Sequence, residues 1–434
     1  MIRAITGVHF SDGQKKMHYV IAGAGPAAVA AAEHIRELDA DSKVTMIGAQ
    51  AQPPYSRMAI PYFLTGKVEQ KGTYLRRSDN HYAEKGIDYL HDEVVSVQPE
   101  DHSLSLASGE KIQYDKLLLA TGAEPIIPPV PGMDDPRVQQ CWHLEDAERI
   151  IDLAKPGARA VQVGAGFIGC IILESWVLRE VDLTVVEMGP RMVPRMLGEK
   201  AGGLLQTWCE SKGVSVHTNT QVKAIESTPE ELHVVLESGE TCPADVVIVS
   251  TGVKPRLGYL QGCEIKIDQG IVIDEHMRTT APDIYAAGDC AQGLDFSTGE
   301  TAVHAVQPTA TEHGRVAAAN MVSNDDLPYK GSLNMNILDT LGLVTCSFGA
   351  WEGVDGGDSA EMFNQDNFQY INLQFKEDIL VGANSVGYHQ HLGMLRGLIE
   401  TKIPLGPWKD RLIANPVQIA DAYLGANEAS LKSS

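Results

Sequence analysis

Two glycine-rich segments contain the residues whose types and spacing predict chemistry most clearly. The first follows a short apolar stretch and reads GAGPAA over residues 23–28, before an alanine-rich helical pattern. In this arrangement Gly23 permits a tight turn, and Gly25 allows the backbone to approach a pyrophosphate. Ala28 permits close packing of the helix on the strand. The pattern therefore predicts a phosphate site at a helix N-terminus.

The second segment repeats the pattern as GAGFIG over residues 164–169, between a predicted strand over 160–163 and a predicted helix to about residue 180. Gly164, Gly166 and Gly169 have the same three roles. A further predicted strand ends at Glu187, where a carboxylate is expected to bind the ribose hydroxyls of a dinucleotide. Strand, glycines, helix and acid agree, so this segment predicts a dinucleotide site.

The charge at Glu187 favours NAD over NADP, because a carboxylate repels a 2′-phosphate. Arg191 is the opposing signal, since it either accommodates that phosphate or is a solvated loop charge. Two dinucleotide sites in one chain predict a flavin dinucleotide together with a nicotinamide one, which transfers hydride to it.

Charge and cysteine content restrict the remaining function classes. The chain has 434 residues and a formal net charge of −22, which argues against binding of nucleic acid or of anionic membrane surfaces. Its seven cysteines are scattered without a C-x-x-C pair, so we expect reduced thiols in a cytoplasmic protein, no metal site, and no iron–sulfur cluster. The N-terminus lacks the apolar core of a signal peptide, and we expect no membrane span.

Three further segments resemble the pyridine nucleotide-disulphide oxidoreductase superfamily, the two-dinucleotide-binding flavoproteins. They are YDKLLLATGAEP over 114–125, DVVIVSTGVKP over 245–255 and TTAPDIYAAGDCA over 279–291, in the family order. The resemblance implies that FAD is bound by Gly23, Gly25, Ala28, Gln50, Arg57, Thr121, Gly122, Gly288 and Asp289. It implies that NAD is bound by Gly164, Gly166, Gly169, Glu187 and Gly252. A helix over about 309–322 would direct its N-terminus at the flavin.

The resemblance implies an α/β fold with two Rossmann-like domains, as in glutathione reductase, and a C-terminal α+β domain. The FAD domain would comprise residues 17–125 and 253–325, and the NAD domain residues 126–252. Residues 326–434 would form the C-terminal interface domain, with a hairpin over 369–387. Residues 1–16 would be an N-terminal extension, unless translation starts at Met17.

Within the superfamily, the segment 53–67 most resembles the rubredoxin/ferredoxin-reductase and nitrite-reductase-flavodomain branch. The first helix of the FAD domain has no cysteine, and Met58 occupies the position of the redox cysteine in the single-cysteine enzymes. A thioether cannot form a thiolate, so the flavin should be the only redox centre. Tyr62 replaces a lysine near the flavin, Ile171 replaces its glutamate partner, and Glu174 one turn later is a candidate substitute.

The family's acidic ligand of the FAD ribose is also absent, because Ala49 stands at its position and only Gln50 offers an amide. A neutral contact is weaker than a charge-assisted one, so we expect FAD to be bound somewhat loosely. Cys290 is expected to be a packed thiol, His389 and His391 surface or interface residues, and His304 a neighbour of the flavin-binding helix.

Residues 57–78 contain Arg57, Lys67, Lys71, Arg76 and Arg77 but only one acid before Asp79, Glu69. This basic segment is either a docking surface for an acidic electron carrier, centred on Arg76 and Arg77, or a solvated surface. Docking on it has to overcome the repulsion of the global negative charge.

These observations predict an FAD-dependent NAD(P)H oxidoreductase that passes electrons between NADH and a one-electron carrier such as a ferredoxin or rubredoxin. Either direction is compatible with the sequence. One alternative is an NADH oxidase or small-molecule reductase. Another is an interaction protein that binds flavin and NAD as ligands. A redox partner subunit and a homodimer both stay open.

Overall fold

The computed structural model of the chain describes residues 16–323 and 327–433. The predicted extension over 1–16 therefore lies outside the described residues, apart from its last position. Among the described residues, no helix is both long and apolar enough to cross a lipid bilayer.

The first unit is built on a five-stranded parallel sheet. Its strands, in spatial order, are Ile284–Ala286, Lys116–Leu119, His18–Ala22, Lys43–Gly48 and Ile87–His91. Residues such as Val20, Ile21 and Leu118 are fully buried, as expected for a sheet covered on both faces. The edge strand 284–286 returns from far along the chain, so this unit is formed by two separate segments.

Two long helices pack against each other on this sheet. They are Pro26–Leu38 and Gln307–Val322. Their contact is close because Gly314 has no side chain: a Cβ there would lie 2.2 Å from the carbonyl oxygen of Ala27. The short helices of this unit are Ile60–Leu64 and His81–Glu84, with 3₁₀ turns at Arg57–Ala59, Gln70–Thr73, Pro99–Asp101, Gly258–Leu260 and Gly288–Cys290.

The second unit repeats the same architecture. Its parallel sheet has the order Ser215–His217, Asp182–Val186, Arg159–Val163, Val246–Val249 and Val138–Gln140. Its helices are Leu144–Leu153, Phe167–Leu178 and Glu199–Ser211.

Each of these units carries a three-stranded antiparallel sheet, and a two-stranded ribbon joins them. The antiparallel strands are Val94–Gln98, Ser103–Leu106 and Lys111–Gln113 in the first unit, and Val222–Ser227, Leu232–Leu236 and Thr241–Ala244 in the second. The ribbon pairs Ala123–Pro125 with Val253–Pro255, at the two points where the chain passes between the units. A small sheet of Ile271–Val272, Ala291–Leu294 and Thr301–Ala302 completes the first unit.

The C-terminal unit is a five-stranded antiparallel sheet with three helices. The sheet order is Met335–Thr340, Leu343–Gly349, Ile379–Val386, Gln369–Lys376 and Asp358–Asn364, and the helices are Leu392–Thr401, Pro407–Ala414 and Ile419–Ser433. The predicted α/β class, with two Rossmann-like units and a C-terminal α+β unit, is confirmed.

Candidate functional site

The two glycine motifs form matching turns at the ends of the two parallel sheets. Gly23 has φ of 130° and a Cβ there would lie 2.0 Å from the Ala120 carbonyl oxygen; Gly164 has φ of 102° and a Cβ would lie 2.5 Å from that of Ser250. A side chain is therefore excluded at both positions. A Cβ at Gly25 or Gly166 would meet no heavy atom within 4 Å, so the second glycine of each motif faces open space.

Each motif leads directly into a helix whose N-cap residue is a glycine. Gly25 and Gly166 are the N-cap residues of Pro26–Leu38 and Phe167–Leu178, and as glycines they have no side chain that accepts hydrogen bonds from the first-turn N–H groups. The amide groups of the first turn and the helix dipole therefore favour an anion at both places. Both turns have the shape and polarity that a pyrophosphate requires.

A cavity of about 640 Å³ lies against the first motif. Eight of the nine residues predicted to bind FAD line it: Gly23, Gly25, Gln50, Arg57, Thr121, Gly122, Gly288 and Asp289. The ninth, Ala28, is fully buried behind the cavity, which agrees with its predicted role in helix–strand packing.

Two opposite charges, Arg57 and Asp289, lie in this cavity. The Arg57 guanidinium lies 4.7 Å from the ring centre of Trp142, and its Nε is buried without a hydrogen-bond partner among the described residues. Burial raises the pKa of the Asp289 carboxyl, while the charge of Arg57 opposes that rise. An unpartnered guanidinium beside an open glycine turn fits a pyrophosphate, and a carboxylate at the strand end fits the hydroxyls of a ribityl chain. The residues present therefore fit FAD.

Two glutamines of the cavity lining contact residues that the sequence did not single out. Gln50 contacts His143, and Gln52 donates a 2.9 Å hydrogen bond to Glu145. Ala49 also lines the cavity, and its side chain has no carboxylate for the ribose. Loose FAD binding stays a prediction. Protein purified without added flavin that keeps a full equivalent through dialysis would contradict it.

Thr121 is held by two partners from a distant segment. Its hydroxyl donates to the Arg256 carbonyl at 3.1 Å and lies 3.1 Å from the Tyr259 hydroxyl, while Arg256 forms an ion pair with Glu93. Reasoning from the sequence missed Trp142, His143, Arg256 and Tyr259. No local motif marks these residues, and only the return of distant segments to the sheet edge brings them to the cavity.

In the second unit Glu187 is buried and bound to its own loop. Its carboxylate accepts hydrogen bonds from the backbone N–H groups of Ala165 at 2.7 Å and Gly189 at 2.6 Å. A carboxylate has about four acceptor positions, so acceptor capacity is left for ribose hydroxyls. Arg191 donates to the carbonyl oxygens of Leu197 at 2.7 Å and Pro194 at 3.4 Å, so its guanidinium is directed at the backbone.

The turns that follow the strands Lys116–Leu119 and Val246–Val249 are also equivalent. Gly122 has φ of 70° and Gly252 has φ of 106°. The Gly122 carbonyl accepts from the Arg256 N–H at 3.0 Å, and the Gly252 carbonyl accepts from the Ile126 N–H at 2.9 Å. These bonds fasten the linking ribbon beside both motifs.

A second cavity, of about 880 Å³, lies where the helix Gln307–Val322 begins. Three parts of the chain line it. They are the segment around Met58 and Tyr62, the start of the helix Phe167–Leu178, and the C-terminal unit at Ile337; Pro308 of the helix Gln307–Val322 completes the lining. The helix starts two residues earlier than expected, with proline in its first turn.

The structure places Tyr62 and Glu174 differently. Tyr62 lines the second cavity and is 54% exposed, and its place beside the flavin stays a prediction. Glu174 lines neither cavity, because its carboxylate forms a 3.1 Å ion pair with Lys67 on the surface. The expectation that Glu174 substitutes for the family glutamate near the flavin is therefore not supported by its position.

The thiols lie away from both cavities. Six of the seven cysteines are buried and Cys263 is partly buried, and none lines either cavity. Burial raises the pKa of Cys290, whose thiol lies 3.4 Å from the carbonyl oxygens of Leu119 and Ala287. His389 is exposed and His391 partly exposed, whereas His304 is directed at Asp295, 3.3 Å away.

The basic segment is largely neutralised by the fold. Arg57 belongs to the first cavity, Lys67 pairs with Glu174, and Lys71 pairs with Asp79 at 2.9 Å. Arg76 donates through Nε to Glu33 at 2.7 Å. Among the described residues three of the five basic side chains form ion pairs, whereas Arg57, inside the cavity, and Arg77, on the surface, form none. The local excess of positive charge expected for carrier docking is therefore much smaller than the sequence suggested.

Comparison with known proteins identifies the family. The model of the pyridine nucleotide-disulphide oxidoreductase family matches residues 17–309. The chain is 32% identical to the NADH-dependent phenylglyoxylate dehydrogenase subunit epsilon of Aromatoleum evansii, over 92% of this chain and 96% of that protein. It is 32% identical to an NADH oxidase of Methanocaldococcus jannaschii, over 70% of each chain.

Solved structures agree with this assignment. The ferredoxin reductase for the CYP199A2 system of Rhodopseudomonas palustris matches with a TM-score of 0.81 and 26% identity, over 88% of this chain and 94% of that one. The predicted rubredoxin/ferredoxin-reductase resemblance is thereby confirmed. The chain belongs to the pyridine nucleotide-disulphide oxidoreductase family, as an FAD- and NAD(H)-binding oxidoreductase without the redox cysteines.

Proposed function

We propose that this protein passes electrons between NAD(H) and a one-electron acceptor, and that this acceptor is held as a partner subunit. The observation that carries the proposal is Met58, which lines the second cavity at the position of the redox cysteine and is 48% exposed. Since no thiol of the described residues lines either cavity, electrons have no covalent carrier within the chain. They have to leave directly to an external acceptor.

We propose that the predicted residues act by binding and orientation. FAD, when bound, supplies the exchange between two-electron and one-electron chemistry. Arg57 and the N-terminus of Pro26–Leu38 would hold its pyrophosphate, and Asp289 its ribityl chain. Gly164, Gly166 and Gly169 would hold the NAD pyrophosphate, and Glu187 the ribose. Gly252 would keep the adjoining turn open.

NAD is favoured over NADP by the position of the charges. The Glu187 carboxylate is fixed by two backbone N–H groups at the expected ribose position. The Arg191 guanidinium donates hydrogen bonds to backbone carbonyl oxygens, so it is not oriented toward a 2′-phosphate.

A fixed partner is favoured over a diffusing acidic carrier by two observations. The basic segment is mostly paired within the chain, so long-range steering of an acidic protein would be weak. Met58, Tyr62 and Ile337 of the second cavity are 48%, 54% and 46% exposed, which suits an apolar protein contact. The similar protein of Aromatoleum evansii is itself named as a subunit of a dehydrogenase.

Anaerobic titration with NADH tests the electron-transfer proposal. We expect rapid bleaching of the flavin absorbance, followed by reoxidation on addition of an iron–sulfur protein or rubredoxin and slow reoxidation by air. Rapid reoxidation by air alone would instead support an NADH oxidase, the activity named for the Methanocaldococcus relative. Very slow bleaching would support a ligand-binding role without turnover.

We also propose a cytoplasmic location and leave self-association to measurement. The seven cysteines are all free and mostly buried, which suits a reducing compartment. Purification from native cells followed by light scattering would distinguish a heteromeric complex from a homodimer. Recovery of the chain only as a free monomer would contradict the partner-subunit proposal.

A further inference from the structure

Three potential metal ligands meet at the edge of the second unit, outside both cavities. His217 ends the strand Ser215–His217, Glu240 lies in the turn before the strand Thr241–Ala244, and Cys242 lies within that strand. The ligand atoms of the three residues all lie within 4.8 Å of one another. His217 Nδ1 is 3.6 Å from the nearer Glu240 carboxylate oxygen.

We propose that His217, Glu240 and Cys242 bind one Zn²⁺-like cation, with water as the fourth ligand. Nitrogen, oxygen and thiolate sulfur are the donor atoms that zinc takes from proteins, and three protein ligands leave one position open. Zinc bond lengths of about 2.0–2.3 Å place the ligands of a tetrahedral site roughly 3.3–3.7 Å apart. Since no two of the ligand atoms are more than 4.8 Å apart, the separations have to shorten by at most about 1.5 Å.

The surroundings of the three side chains allow that movement. Glu240 is 53% exposed and His217 29% exposed, so both side chains can adjust at the surface. Cys242 is 6% exposed and packs beside the apolar cluster of the second unit. No side-chain hydrogen bond to its thiol is found within residues 16–323 and 327–433. The cation would therefore lie between a fixed sulfur and two adjustable ligands.

A metal here would connect two separate sheets. His217 belongs to the edge strand of the parallel sheet, whereas Cys242 belongs to the antiparallel sheet of the same unit. The His217 carbonyl also accepts the Glu187 N–H at 2.8 Å, so the site adjoins the strand end that positions the proposed ribose ligand. Binding would stabilise the second unit by linkage, because the unfolded chain does not hold the three ligands together.

The chain offers a matched control close by. His233 and Glu231 form a similar pair, 3.4 Å apart, and belong to no three-residue group of potential ligands in the described part of the chain. Cys263 is a partly buried thiol outside the cluster. Loss of metal on changing the cluster, and not on changing these residues, would show that the site is specific.

The test is metal binding by the flavin-loaded protein after removal of metal with a chelator. We expect one equivalent of Zn²⁺ in equilibrium dialysis. With Co²⁺ we expect thiolate charge-transfer absorption and tetrahedral ligand-field bands at wavelengths longer than oxidised flavin absorbs. Cys242→Ser should remove the charge transfer and weaken binding at least about tenfold. Cys263→Ser and His233→Gln should bind as the parent does.

His217→Gln provides a second variant if Cys242→Ser does not fold, with retained flavin absorbance as the criterion of folding. It should also weaken binding at least about tenfold. Zinc should raise the thermal midpoint of the parent and not that of His217→Gln. Absence of charge transfer in the Co²⁺ form of the parent, or unchanged metal binding in both variants, would overturn the proposal.

Discussion

The two dinucleotide sites share a strand–turn–helix plan but are completed in different ways. In the second unit the key acid, Glu187, is bonded to Ala165 of the same motif, so the site is fixed within one short stretch of chain. In the first unit the charges come from Arg57 and Asp289, which lie far from the glycine motif in sequence. The comparison suggests a specific expectation: the proposed NAD site is largely preformed, whereas the proposed FAD site depends on the assembly of distant segments.

The strongest test of this difference is Arg57→Met, which removes the charge and retains bulk over Trp142. Arg57 would pair with the FAD pyrophosphate inside the cavity. Truncating one partner of such a desolvated charge pair costs about 2–5 kcal/mol, so FAD affinity should fall about 30-fold or more. NADH affinity, measured by quenching of protein fluorescence, should change little, because Glu187 is held by Ala165 of its own motif and not by Arg57. Flavin retention by ultrafiltration measures the first effect.

Arg77→Met is the matched control for Arg57→Met, since Arg77 is an arginine of the same segment outside the cavity lining. It should retain FAD as the parent does. An equal loss of flavin in both variants would mean that FAD binding depends on the total positive charge of the segment and not on the position of Arg57. An equal loss of FAD and NADH in Arg57→Met would remove the contrast between the two sites.

The same contrast explains how much could be predicted from the sequence. The glycine motifs, their strands and Glu187 were predictable because their function is set by local geometry and fixed spacing. Trp142 and Arg256 were not, because they reach the first cavity only through the return of distant segments. The ion pairs could not be predicted either. Arg76 and Lys67 have few acidic neighbours in sequence, yet they pair with Glu33 and Glu174 on two helices that lie far from them along the chain.

The second prediction concerns His313, a buried residue on the helix Gln307–Val322 of the FAD-binding unit. Burial first, and the neighbouring His304 second, lower its pKa to about 4. Tyr329, whose ring centre is 4.9 Å away, Ser332 and the His304–Asp295 pair surround it. The folded protein therefore keeps this imidazole neutral at a pH where the unfolded chain is protonated.

Because the pKa of His313 is lower in the folded than in the unfolded protein, this residue makes the folded protein less stable in acid. The contribution of His313 to the free energy of unfolding is fully present above pH 6.5. It falls as the pH drops toward 4, because the unfolded state binds a proton that the folded state does not. Between pH 7 and 5 the loss from this residue is about 2 kcal/mol. His313→Gln should remove that part of the pH dependence in chemical denaturation followed by flavin fluorescence. His233→Gln should leave the dependence unchanged, and identical slopes in all three proteins would contradict the assignment to His313.

The third prediction tests whether the NAD site is as self-contained as its hydrogen bonds suggest. Glu187→Gln keeps the size of the side chain but removes the charge and one acceptor. We expect KM for NADH to rise about tenfold, equivalent to about 1.4 kcal/mol, with flavin content unchanged. The ratio of NADPH to NADH use should increase, because repulsion of the 2′-phosphate is lost.

Arg191→Gln is the comparison for Glu187→Gln. Its guanidinium is bound to backbone carbonyl oxygens, so its loss should not reduce the use of NADPH relative to NADH. A selective loss of NADPH activity in Arg191→Gln would show that the loop rearranges to bind the 2′-phosphate. That result would also show that the second motif is less preformed than the comparison of the two sites indicates.

The smallest expected effect concerns the basic segment over residues 57–78. Arg76→Glu breaks the ion pair with Glu33 and should lower stability, whereas Arg77→Glu changes only a surface charge. At low salt, Arg77→Glu should slow reduction of an acidic iron–sulfur carrier by about twofold, and the difference should vanish at high salt. Lys85→Glu, an exposed lysine outside the segment, should have no such effect. An unchanged rate in Arg77→Glu, with Lys85→Glu also unchanged, would eliminate docking on this segment and leave the apolar rim of the second cavity as the route for electrons.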